Sequence, residues 1–514
     1  MEKGQINNLI QELSAQCPDL GSLQSFAGAG SNVLHGNDIL QNRRRKLCAS
    51  LEEAIQRTGL EDGMTISFHH AFREGDKVIN MVMGTLARLG FRNLTLASSS
   101  LLNTNAPLIE HIKNGVITKI YTSGLRGKLA DAISHGLMDT PVHIHSHGGR
   151  VHLLQTGEIK IDVAFLAVSS SDVFGNANGT RGRSPCGSLG YAKVDAEYAR
   201  QVVLLTDEIV AFPNTPISIS QDRVDCVVKI DEIGDVSQIS QGAARTTHDP
   251  RELLIARFAA DVVEFSGYFK QGFSLQTGSG GSSIAATRFL EKKMISNGIT
   301  AHFALGGITS SIVELHEKGL IDVLVDTQSF DSVAAESLGK SVKHLEVSTN
   351  EYANPSSKGA FCDQLDVAIL SALEIDTGFN VNVITGSNGM IRGASGGHCD
   401  VAAAACLTIV VAPLIRCRIP TVVKRVTTLV TPGESIDVLV TDHGIAVNPA
   451  RPELDARLRE AGLQVMTIEE LYNRAVSLSG VSDPIQFTDR IVGVIRYRDG
   501  SVIDVVRQVK GCLP

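Results

Sequence analysis

The sequence predicts an α/β fold in which two tandem domains each carry a mostly parallel sheet. The clearest observation is an alternation of strand and helix patterns between residues 273 and 326. Strand-type runs at Phe273–Thr277, Thr300–Leu305 and Ile321–Val325 are separated by helical patterns, the first at Ile284–Ile295 and the second ending near Lys318. Strands that alternate with helices of this length form βαβ units, whose strands lie parallel.

A second observation is that the same alternation occurs earlier in the chain. Strand-type runs at Gly63–Ser67 and Asn93–Ala97 flank a helical pattern at about Val78–Leu89. Residues 109–117 read IEHIKNGVI and residues 313–321 read VELHEKGLI, so even the joints between elements are similar. This similarity favours two copies of one α/β domain. Chance similarity between two ordinary βαβ segments is the alternative.

The length of the chain supports the same division. With 514 residues, the chain is longer than a domain built around a single hydrophobic core usually is. A polar stretch without clear period, from Gly234 to Pro250, separates the two candidate domains. We therefore expect an N-terminal arm over residues 1–49, a first α/β domain over residues 50–240 and a second over residues 250–514.

Composition and charge argue against several classes of protein. With a net charge of −8, the chain does not look like a general nucleic-acid binder. Its nine cysteines lack paired metal-ligand spacing, so we expect reduced thiols, a cytoplasmic location and no metal site. The longest apolar run, Val401–Ile415, contains Thr408 and Pro413 and is too short to span a bilayer. It predicts a buried helix that passes into a strand, and no membrane association.

Glycine-rich turns recur around the predicted strands of the second domain. Gly278–Ser283 and Gly306–Ser311 each join a predicted strand to a helix, and Gly386–Gly389 and Gly393–Asp400 follow later. At the amino end of a helix, backbone N–H groups and the helix dipole favour an anion. Four such turns in one domain suggest a long, narrow ligand held by backbone contacts.

Three histidines alternate near a strand pattern at Pro141–Ser146. His143, His145 and His147 would share one face of that strand, because alternate residues do. Together with Arg150 they suit a carboxylate or a phosphate. A zinc site and an ordinary edge strand are the alternatives.

A loop at residues 169–183 carries further candidates. It follows the apolar strand pattern Ile161–Val168 and is rich in small and amide residues. Arg181 and Arg183 in this loop can each bind a carboxylate through two hydrogen bonds. The alternative is that both arginines are merely exposed.

Several motifs, in this order along the chain, resemble those of the coenzyme A transferases. They are Ser188-Leu189-Gly190, the LQTGSGG turn at 275–281, the segment Ser371–Asp376 and the segment Gly393–Asp400. Within that superfamily the chain resembles the alpha subunits of citrate lyase over essentially its whole length. The resemblance implies a fold of two tandem coenzyme A transferase-like domains.

The resemblance also implies a reaction and its partners. Such a subunit exchanges acetate for citrate on a thioester, so that acetyl carrier and citrate give citryl carrier and acetate. We expect an oligomeric complex with an acyl-carrier subunit and a citryl-lyase subunit. No tightly bound cofactor is expected, and the thioester substrate is acyl-phosphopantetheine on the carrier, or acetyl-coenzyme A.

One departure from the superfamily bears on mechanism. The commonest coenzyme A transferases use a glutamate nucleophile after an early strand of the second domain. The matching stretch here, Thr300–Val313, holds no carboxylate, and His302 or Leu305 occupies the position. The resemblance to citrate lyase therefore implies direct transfer, in which a carboxylate of citrate attacks the acetyl thioester and forms a mixed anhydride.

The chemistry that the resemblance implies needs three kinds of site. Catalytic positions, mainly oxyanion donors, are expected at Gly280, Gly281, Gly306, Gly307 and His302. Citrate is expected at His69, His70, Arg73, Ser99, His145, His147, Arg150, Asn176, Asn178, Arg181 and Arg183. The thioester arm is expected beside Gly386, Ser387, Asn388, Gly389, Gly396 and Gly397.

Two other functions remain open at this point. An ordinary coenzyme A transferase or thioester hydrolase of the same fold would need Glu314, Glu351 or Glu374 as its nucleophile. A non-catalytic subunit that binds a sugar phosphate or serves assembly is the second alternative, since related α/β folds bind phosphosugars.

Overall fold

The fold is described from a computed structural model that covers residues 3–18, 22–23, 46–239 and 247–510. By its internal contacts the chain divides into two units, residues 1–46 and residues 47–514. The first unit contains helix α1 (Lys3–Gln16). Ile6, Leu9 and Leu13 recur at helical spacing in this helix, where only an N-terminal arm is expected from the sequence. Most of the remaining predicted arm lies outside the described residues.

The first half of the larger unit alternates strands with helices. Its strands are β1 (Leu47–Cys48), β2 (Thr65–Phe68), β3 (Leu94–Ser98), β4 (Ile117–Thr122), β5 (Val142–Ile144), β6 (Val163–Ala167), β7 (Ser170–Asp172), β8 (Ala177–Asn178), β9 (Gln201–Thr206), β10 (Ile209–Val210) and β11 (Cys226–Lys229). Its helices are α2 (Leu51–Thr58), α3 (Val78–Arg88), α4 (Leu108–Lys113), α5 (Gly127–Ser134), α6 (His147–Gln155), α7 (Gly190–Tyr198) and α8 (Val236–Ile239).

The second half repeats this alternation and ends in a hairpin. Its strands are β12 (Ser274–Thr277), β13 (Ala301–Ile308), β14 (Ile321–Ser329), β15 (His344–Glu346), β16 (Val367–Ser371), β17 (Glu374–Asp376), β18 (Val381–Asn382), β19 (Leu407–Val411), β20 (Ile415–Arg416), β21 (Ile419–Pro420), β22 (Val422–Val423), β23 (Val438–Thr441), β24 (Gly444–Val447), β25 (Val465–Met466), β26 (Phe487–Arg496) and β27 (Val502–Val509). Its helices are α9 (Pro250–Phe265), α10 (Gly281–Asn297), α11 (Ser310–Glu317), α12 (Ser332–Lys340), α13 (Thr349–Ala353), α14 (His398–Ala404), α15 (Pro452–Glu460) and α16 (Ile468–Ser479).

Two large sheets confirm the predicted α/β class. The first has ten strands in the order β1-β11-β9-β6-β2-β3-β4-β5-β26-β27, and all neighbours are parallel except the last pair. The second has nine strands in the order β15-β14-β13-β12-β16-β19-β23-β24-β25, with one antiparallel pair, β23–β24. The C-terminal hairpin β26–β27, which turns around Asp499, extends the first sheet. The predicted domain limits stay a prediction.

Two three-stranded sheets carry the same motif in both halves. β7 pairs with β8 and β10, as β17 pairs with β18 and β22. In each motif an aspartate, Asp172 or Asp376, accepts hydrogen bonds from the backbone N–H groups two and four residues later. The shared geometry at equivalent points of the two halves indicates a duplication of one domain.

Local signals explain several of the helix starts. Asp249 caps α9 by accepting a hydrogen bond from the N–H of Arg251, and Pro250 occupies the first helical position. The apolar run Val401–Ile415 passes from α14 into the buried strand β19, as predicted. In the part of the chain that is described, no helix is both long and apolar enough to cross a membrane.

One predicted turn and the end of one predicted strand are wrong. Gly306 and Gly307 are not a turn after a strand but lie within β13, where the pairing with β14 shifts register between them. Gly306 has a φ of 104°, so a bulge that needs glycine replaces the turn. The predicted strand Pro141–Ser146 ends at Ile144, because Ser146 caps α6 and His147 begins that helix.

Candidate active site

The candidate site lies where the two halves of the larger unit meet. The chain passes from β18 to α14 through residues 383–397, and backbone hydrogen bonds hold this loop against the first half. The N–H of Leu125 donates to the carbonyl oxygen of Gly393, and the N–H of His147 donates to that of Gly396 at 2.8 Å. The loop therefore places second-half glycines beside first-half side chains.

Two histidines and a tyrosine form the first-half wall of the site. His70 follows β2, and its Nδ1 lies 2.6 Å from the hydroxyl oxygen of Ser99, which follows β3. The ring of Tyr191, in α7, lies 5.0 Å from the ring of His70 and 4.8 Å from that of His147, measured between centroids. Contact with the tyrosine ring restricts the orientation of both imidazoles.

A glutamine and a tyrosine form the second-half wall. Nε2 of Gln276, in β12, donates to the hydroxyl oxygen of Tyr352 at 2.9 Å. A Cβ at Gly306 would come within 2.8 Å of the Gln276 amide, and a Cβ at Gly397 within 2.4 Å of the Tyr352 hydroxyl. Glycine at both positions lets the backbone approach these side chains.

Arg73 brings a positive charge to the site. Its φ of 55° lies in the left-handed region, which residues with a Cβ seldom occupy. Its guanidinium carbon lies 4.3 Å from the centroid of the Phe330 ring. That ring packs on Gly307, where a Cβ would lie only 2.2 Å from it. Gly307 therefore makes room for the aromatic ring that supports Arg73.

Four of these side chains keep buried polar atoms that have no hydrogen-bond partner among the described residues. The atoms are Nε and Nη2 of Arg73, Nδ1 of His147, the hydroxyl of Tyr191 and Oε1 of Gln276. An unpaired buried polar group costs roughly 1–3 kcal/mol, so such groups are rarely left without a role. Together they indicate a polar ligand. We refer to His70, Arg73, His147, Tyr191 and Gln276 as the central cluster.

Burial keeps the imidazoles of His70 and His147 neutral beside the positively charged Arg73. Burial, and then the charge of Arg73, lowers the pKa of His147 to about 3. The same two causes hold the pKa of His70 well below its ordinary value. Burial, followed by the charge of Arg126, lowers the pKa of Arg73 to about 9, so Arg73 stays protonated at neutral pH. A cation among neutral donors suits a carboxylate ligand.

Three other predicted citrate residues are engaged inside the first half. His69 Nε2 lies 2.8 Å from the carbonyl oxygen of Ala167. Arg150 is fully buried and forms an ion pair with Asp195 at 2.9 Å. His145 is fully buried, and burial, followed by the charge of Arg150, lowers its pKa to about 3. All three side chains are thus buried in the first half, although Nε2 of His145 and Nη1 of Arg150 have no hydrogen-bond partner among the described residues.

The two predicted asparagines hold the β7–β8 motif together. Nδ2 of Asn176 donates to Asp172 at 2.9 Å. Nδ2 of Asn178 donates to Asn214 at 2.9 Å, and its Oδ1 accepts the N–H of Arg181. The amide of Asn176 thus bonds within the loop, and that of Asn178 ties the loop to the segment at Asn214.

Three further candidates lie outside the central cluster. Arg181 and Arg183 are exposed, and their side chains form no hydrogen bond or ion pair with any residue described. His302 is exposed near the start of β13 and lines a separate cavity of about 530 Å³. Strands rise about 3.3 Å per residue, which places His302 on the order of 13 Å from Gly306 along the strand. The structure does not bring these residues to the cluster.

The predicted oxyanion glycines flank β12. Gly280 caps α10 and Gly281 begins it, so the free N–H groups of the first helical turn lie at the carboxyl end of β12. A Cβ at Gly280 would lie 2.4 Å from the hydroxyl of Ser371, in the neighbouring strand β16. Gly306 lies on the other side, in β13. Gly280-Gly281 and Gly306-Gly307 therefore lie on opposite sides of the carboxyl end of β12.

The predicted thioester-binding glycines lie at opposite ends of the loop 383–397. Gly386, Ser387, Asn388 and Gly389 form a tight turn in which the N–H of Gly389 donates to Gly386, with Ser387 and Asn388 exposed at its tip. Gly396 and Gly397 lie at the central cluster, the first beside His147 and the second against Tyr352.

The glutamates that an ordinary coenzyme A transferase would need have other roles. Glu314 is exposed on α11. Glu351 accepts hydrogen bonds from the N–H and the hydroxyl of Ser348, which closes the capping box of α13. Glu374 accepts hydrogen bonds from Asn382 and Thr427. The carboxylate of Glu351 is thus occupied by a donor residue of its own helix start, and that of Glu374 by donors from β18 and from Thr427, 53 positions later.

Sequence reasoning missed three members of the site: Tyr191, Gln276 and Tyr352. The sequence marks Gln276 only as part of the LQTGSGG turn. This residue lies one position before the end of β12. Tyr191 directly follows the Ser188-Leu189-Gly190 motif, and this position was the available signal. Tyr352 had none, because its role depends on a contact with a residue 76 positions earlier.

Comparison with known proteins agrees with the fold and shows the family. The chain is 67% identical over 470 residues to the citrate lyase alpha chain of Klebsiella pneumoniae, covering 91% of this chain and 92% of that one. It is 66% identical over 468 residues to the citrate lyase alpha chain of Escherichia coli K12, with 91% and 92% covered. A crystal structure from Streptococcus mutans, described as the alpha subunit of citrate lyase in complex with citrate, matches with a TM-score of 0.91 and 52% identity over 98% of both chains.

A more distant likeness defines the class of fold. A Pseudomonas malonate decarboxylase structure matches with a TM-score of 0.62 at 14% identity, over 87% of this chain and 96% of that one, which shows a shared fold alone. The two large sheets thus form an α/β fold that this chain shares with that protein. The family model described as "Citrate lyase, alpha subunit" matches residues 44–509. The chain belongs to the citrate lyase alpha subunit family.

Proposed function

We propose that this chain exchanges acetate for citrate on a carrier thioester, as the transferase subunit of citrate lyase. The observation that carries the proposal is the set of buried, unpartnered polar atoms on Arg73, His147 and Tyr191. Its natural partners are an acyl-carrier subunit and a citryl-lyase subunit in an oligomeric complex. The Streptococcus mutans relative, described as a complex with citrate, supports citrate as the ligand.

Citrate fits the chemistry of the central cluster. Arg73 is the cation that a carboxylate can pair with through two hydrogen bonds. Tyr191 offers a hydroxyl donor, and neutral His147 offers an N–H or an acceptor, depending on its tautomer. A ligand that satisfies these atoms recovers the cost of leaving them unpaired, which makes the site selective for a polyanion with hydroxyl and carboxylate groups.

The reaction then proceeds in two acyl transfers. A carboxylate oxygen of citrate attacks the acetyl carbonyl carbon of the carrier thioester; a C–O bond forms, the C–S bond breaks and the carrier leaves as a thiolate. The mixed acetyl-citryl anhydride is attacked by that thiolate at the citryl carbonyl carbon. A new C–S bond forms, the bridging C–O bond breaks, and acetate leaves with the bridging oxygen. N–H groups of the Gly280-Gly281 and Gly306-Gly307 segments are the proposed donors to the two oxyanions.

The surroundings of β13 favour this direct route over a glutamyl-enzyme. Segment 300–313 contains no carboxylate, and Gly306 leaves no space for one because Gln276 already fills that position. Since the attacking group is an ionised carboxylate of the substrate, no strong base is needed. Neutral His70 and His147 are consistent with roles in positioning rather than in proton abstraction.

Citrate binding and thioester exchange by the purified chain test the proposal. Calorimetry with citrate should detect binding by the wild type, and acetyl carrier with labelled citrate should yield citryl carrier and acetate. Arg73→Gln should weaken citrate binding tenfold or more, as loss of a charge-assisted hydrogen bond predicts. Arg181→Gln, at an exposed arginine, is the matched control and should bind as the wild type does.

Other outcomes would favour the alternatives. Equal loss in both variants would return the citrate site to the loop 169–183. Hydrolysis of acetyl carrier without citryl transfer would favour a thioester hydrolase. Binding of a sugar phosphate without any exchange would favour a non-catalytic subunit.

A further inference from the structure

A long groove lies away from the central cluster, between α16 and the C-terminal hairpin β26–β27. It has a volume of about 870 Å³, and Tyr472, Val476 and Val481 form one side of it. A smaller cavity of about 300 Å³ continues it and shares Arg425 and Val426 with it. We refer to the two together as the α16 groove.

The α16 groove leaves apolar surface exposed to water. Val481 is 78% exposed, and Leu478, in the last turn of α16, is 57% exposed. Each exposed aliphatic side chain forgoes the free energy that burial provides, about 25 cal/mol per Å². Exposed apolar side chains beside a long groove are typical of a surface that another molecule covers.

The charged side chains that line the groove differ in whether they have hydrogen-bond partners. Asp504 accepts hydrogen bonds from the N–H groups of Leu429 and Val505, at 2.7 and 2.8 Å. Lys424 and Arg425 are both exposed, and their side chains form no hydrogen bond or ion pair with any described residue. Two free cations therefore rim an apolar groove on a chain whose net charge is −8. The molecule that fits this surface is acidic and carries an apolar side chain.

The groove is also connected to the central cluster. Gly389 lines its smaller cavity and packs against Phe487 of β26. From there the loop runs to Gly396, whose carbonyl oxygen accepts the N–H of His147. Seven residues of extended chain span at most about 24 Å, so the end of the groove lies within that distance of the cluster. A thioester at the tip of a flexible prosthetic arm can bridge such a distance.

We propose that the α16 groove is the docking site of the acyl-carrier subunit, which places acidic side chains on Lys424 and Arg425 and an apolar side chain against Val476 and Val481. The proposal rests on the proposed function, because that reaction requires a carrier. A second copy of this chain fits less well, since a two-fold contact here would bring the same cations of both copies together.

A charge-reversal variant with a direct binding readout tests this docking site. Binding of the phosphopantetheine-bearing carrier to the full chain is measured by fluorescence anisotropy at two salt concentrations. Lys424→Glu with Arg425→Glu should weaken carrier binding at least tenfold at low salt and remove most of its salt dependence. Val481→Glu, at a side chain that is 78% exposed and so tolerant of substitution, should weaken it severalfold.

The control reverses two cations elsewhere. Arg288 and Lys292 are exposed on α10, four residues apart, so Arg288→Glu with Lys292→Glu makes the same change in net charge. This control should bind the carrier as the wild type does. Equal weakening in both double variants, or unchanged binding in the Lys424/Arg425 variant, would overturn the proposal.

A parallel assay separates this proposal from the proposed function. With acetyl-coenzyme A as a small thioester in place of acetyl carrier, citryl transfer by the Lys424/Arg425 variant should match the wild type. A rise in KM for acetyl-coenzyme A as large as the loss for the carrier would show that the groove takes a small anion, against the proposal. Failure of the wild type to form any citryl thioester, with carrier binding intact, would count against the proposed function alone.

Discussion

The hydroxyl of Ser146 donates a hydrogen bond to Oδ1 of Asp400 at 2.7 Å, although the two residues are 254 positions apart. Oδ2 of the same carboxylate accepts the N–H of Gly148 at 2.9 Å. Asp400 of the second half thus completes the start of α6, the helix that begins at His147. The position of a first-half histidine in the central cluster depends on a second-half carboxylate.

Replacing this carboxylate tests the link between the halves. Asp400→Asn puts an amide N–H₂ where the structure needs an acceptor, so one buried donor loses its partner. We expect the free energy of unfolding to fall by about 1–3 kcal/mol, measured by urea titration. Asp139→Asn, at a fully exposed carboxylate, should change it by less than about 0.5 kcal/mol. Equal stability of the two variants would show that Asp400 does not fix α6.

Tyr191→Phe separates ligand binding from stability. The variant keeps the ring that packs between His70 and His147 but removes a buried hydroxyl that lacks a partner. We expect KM for citrate to rise about tenfold, which corresponds to about 1.4 kcal/mol, while the melting temperature stays the same or rises. An unchanged KM for citrate would remove Tyr191 from the citrate site.

Citrate binding should depend on the protonation of Arg73. Its pKa is lowered to about 9 by burial and by Arg126, so the charged form predominates below pH 9 and is lost above it. The apparent affinity for citrate should therefore be constant from pH 7 to 8.5 and fall up to tenfold per pH unit above 9. Arg73→Gln should bind weakly and without this dependence. A flat wild-type profile up to pH 10 would contradict the assignment.

Buried histidines should make the fold sensitive to acid. His398 bonds to Thr431 and to the carbonyl oxygen of Ser371, and burial lowers its pKa to about 4. Between pH 6.5 and 4 the unfolded chain binds a proton that the folded chain excludes, so stability falls as pH falls through this window. In His398→Gln, the loss of stability between pH 6.5 and 5 should be smaller by about 1.4 kcal/mol per pH unit. Urea titrations at the two pH values measure this, and an identical loss in both proteins would contradict it.

The sequence predicts elements whose signals are local. The apolar run Val401–Ile415 and the start of α9 at Pro250 follow from neighbouring residues alone. The prediction of a turn at Gly306 and Gly307 is wrong, because two adjacent glycines usually indicate a turn. In the structure both residues pair with β14 and so continue strand β13, and the ring of Phe330 packs against Gly307. Glycine can mark the close approach of a neighbouring group as well as a turn.

The site itself is only partly visible in the sequence. Arg73, Arg150 and Arg181 are equivalent candidates by residue type, and only the structure shows that one is paired with Asp195 and one is exposed. Which buried polar atoms lack partners depends on contacts between residues that are far apart in the chain, such as Gln276 with Tyr352. No periodic pattern carries that information.

The fate of the citrate oxygens tests direct transfer between citrate and the thioester. A single turnover with acetyl carrier and citrate labelled with ¹⁸O in its carboxylates is followed by mass spectrometry of the acetate. Direct transfer predicts one ¹⁸O in the acetate of the first turnover, because the bridging oxygen of the anhydride comes from citrate. Unlabelled acetate in the first turnover, with the label found later in Glu314, Glu351 or Glu374, would contradict it and show a glutamyl-enzyme instead.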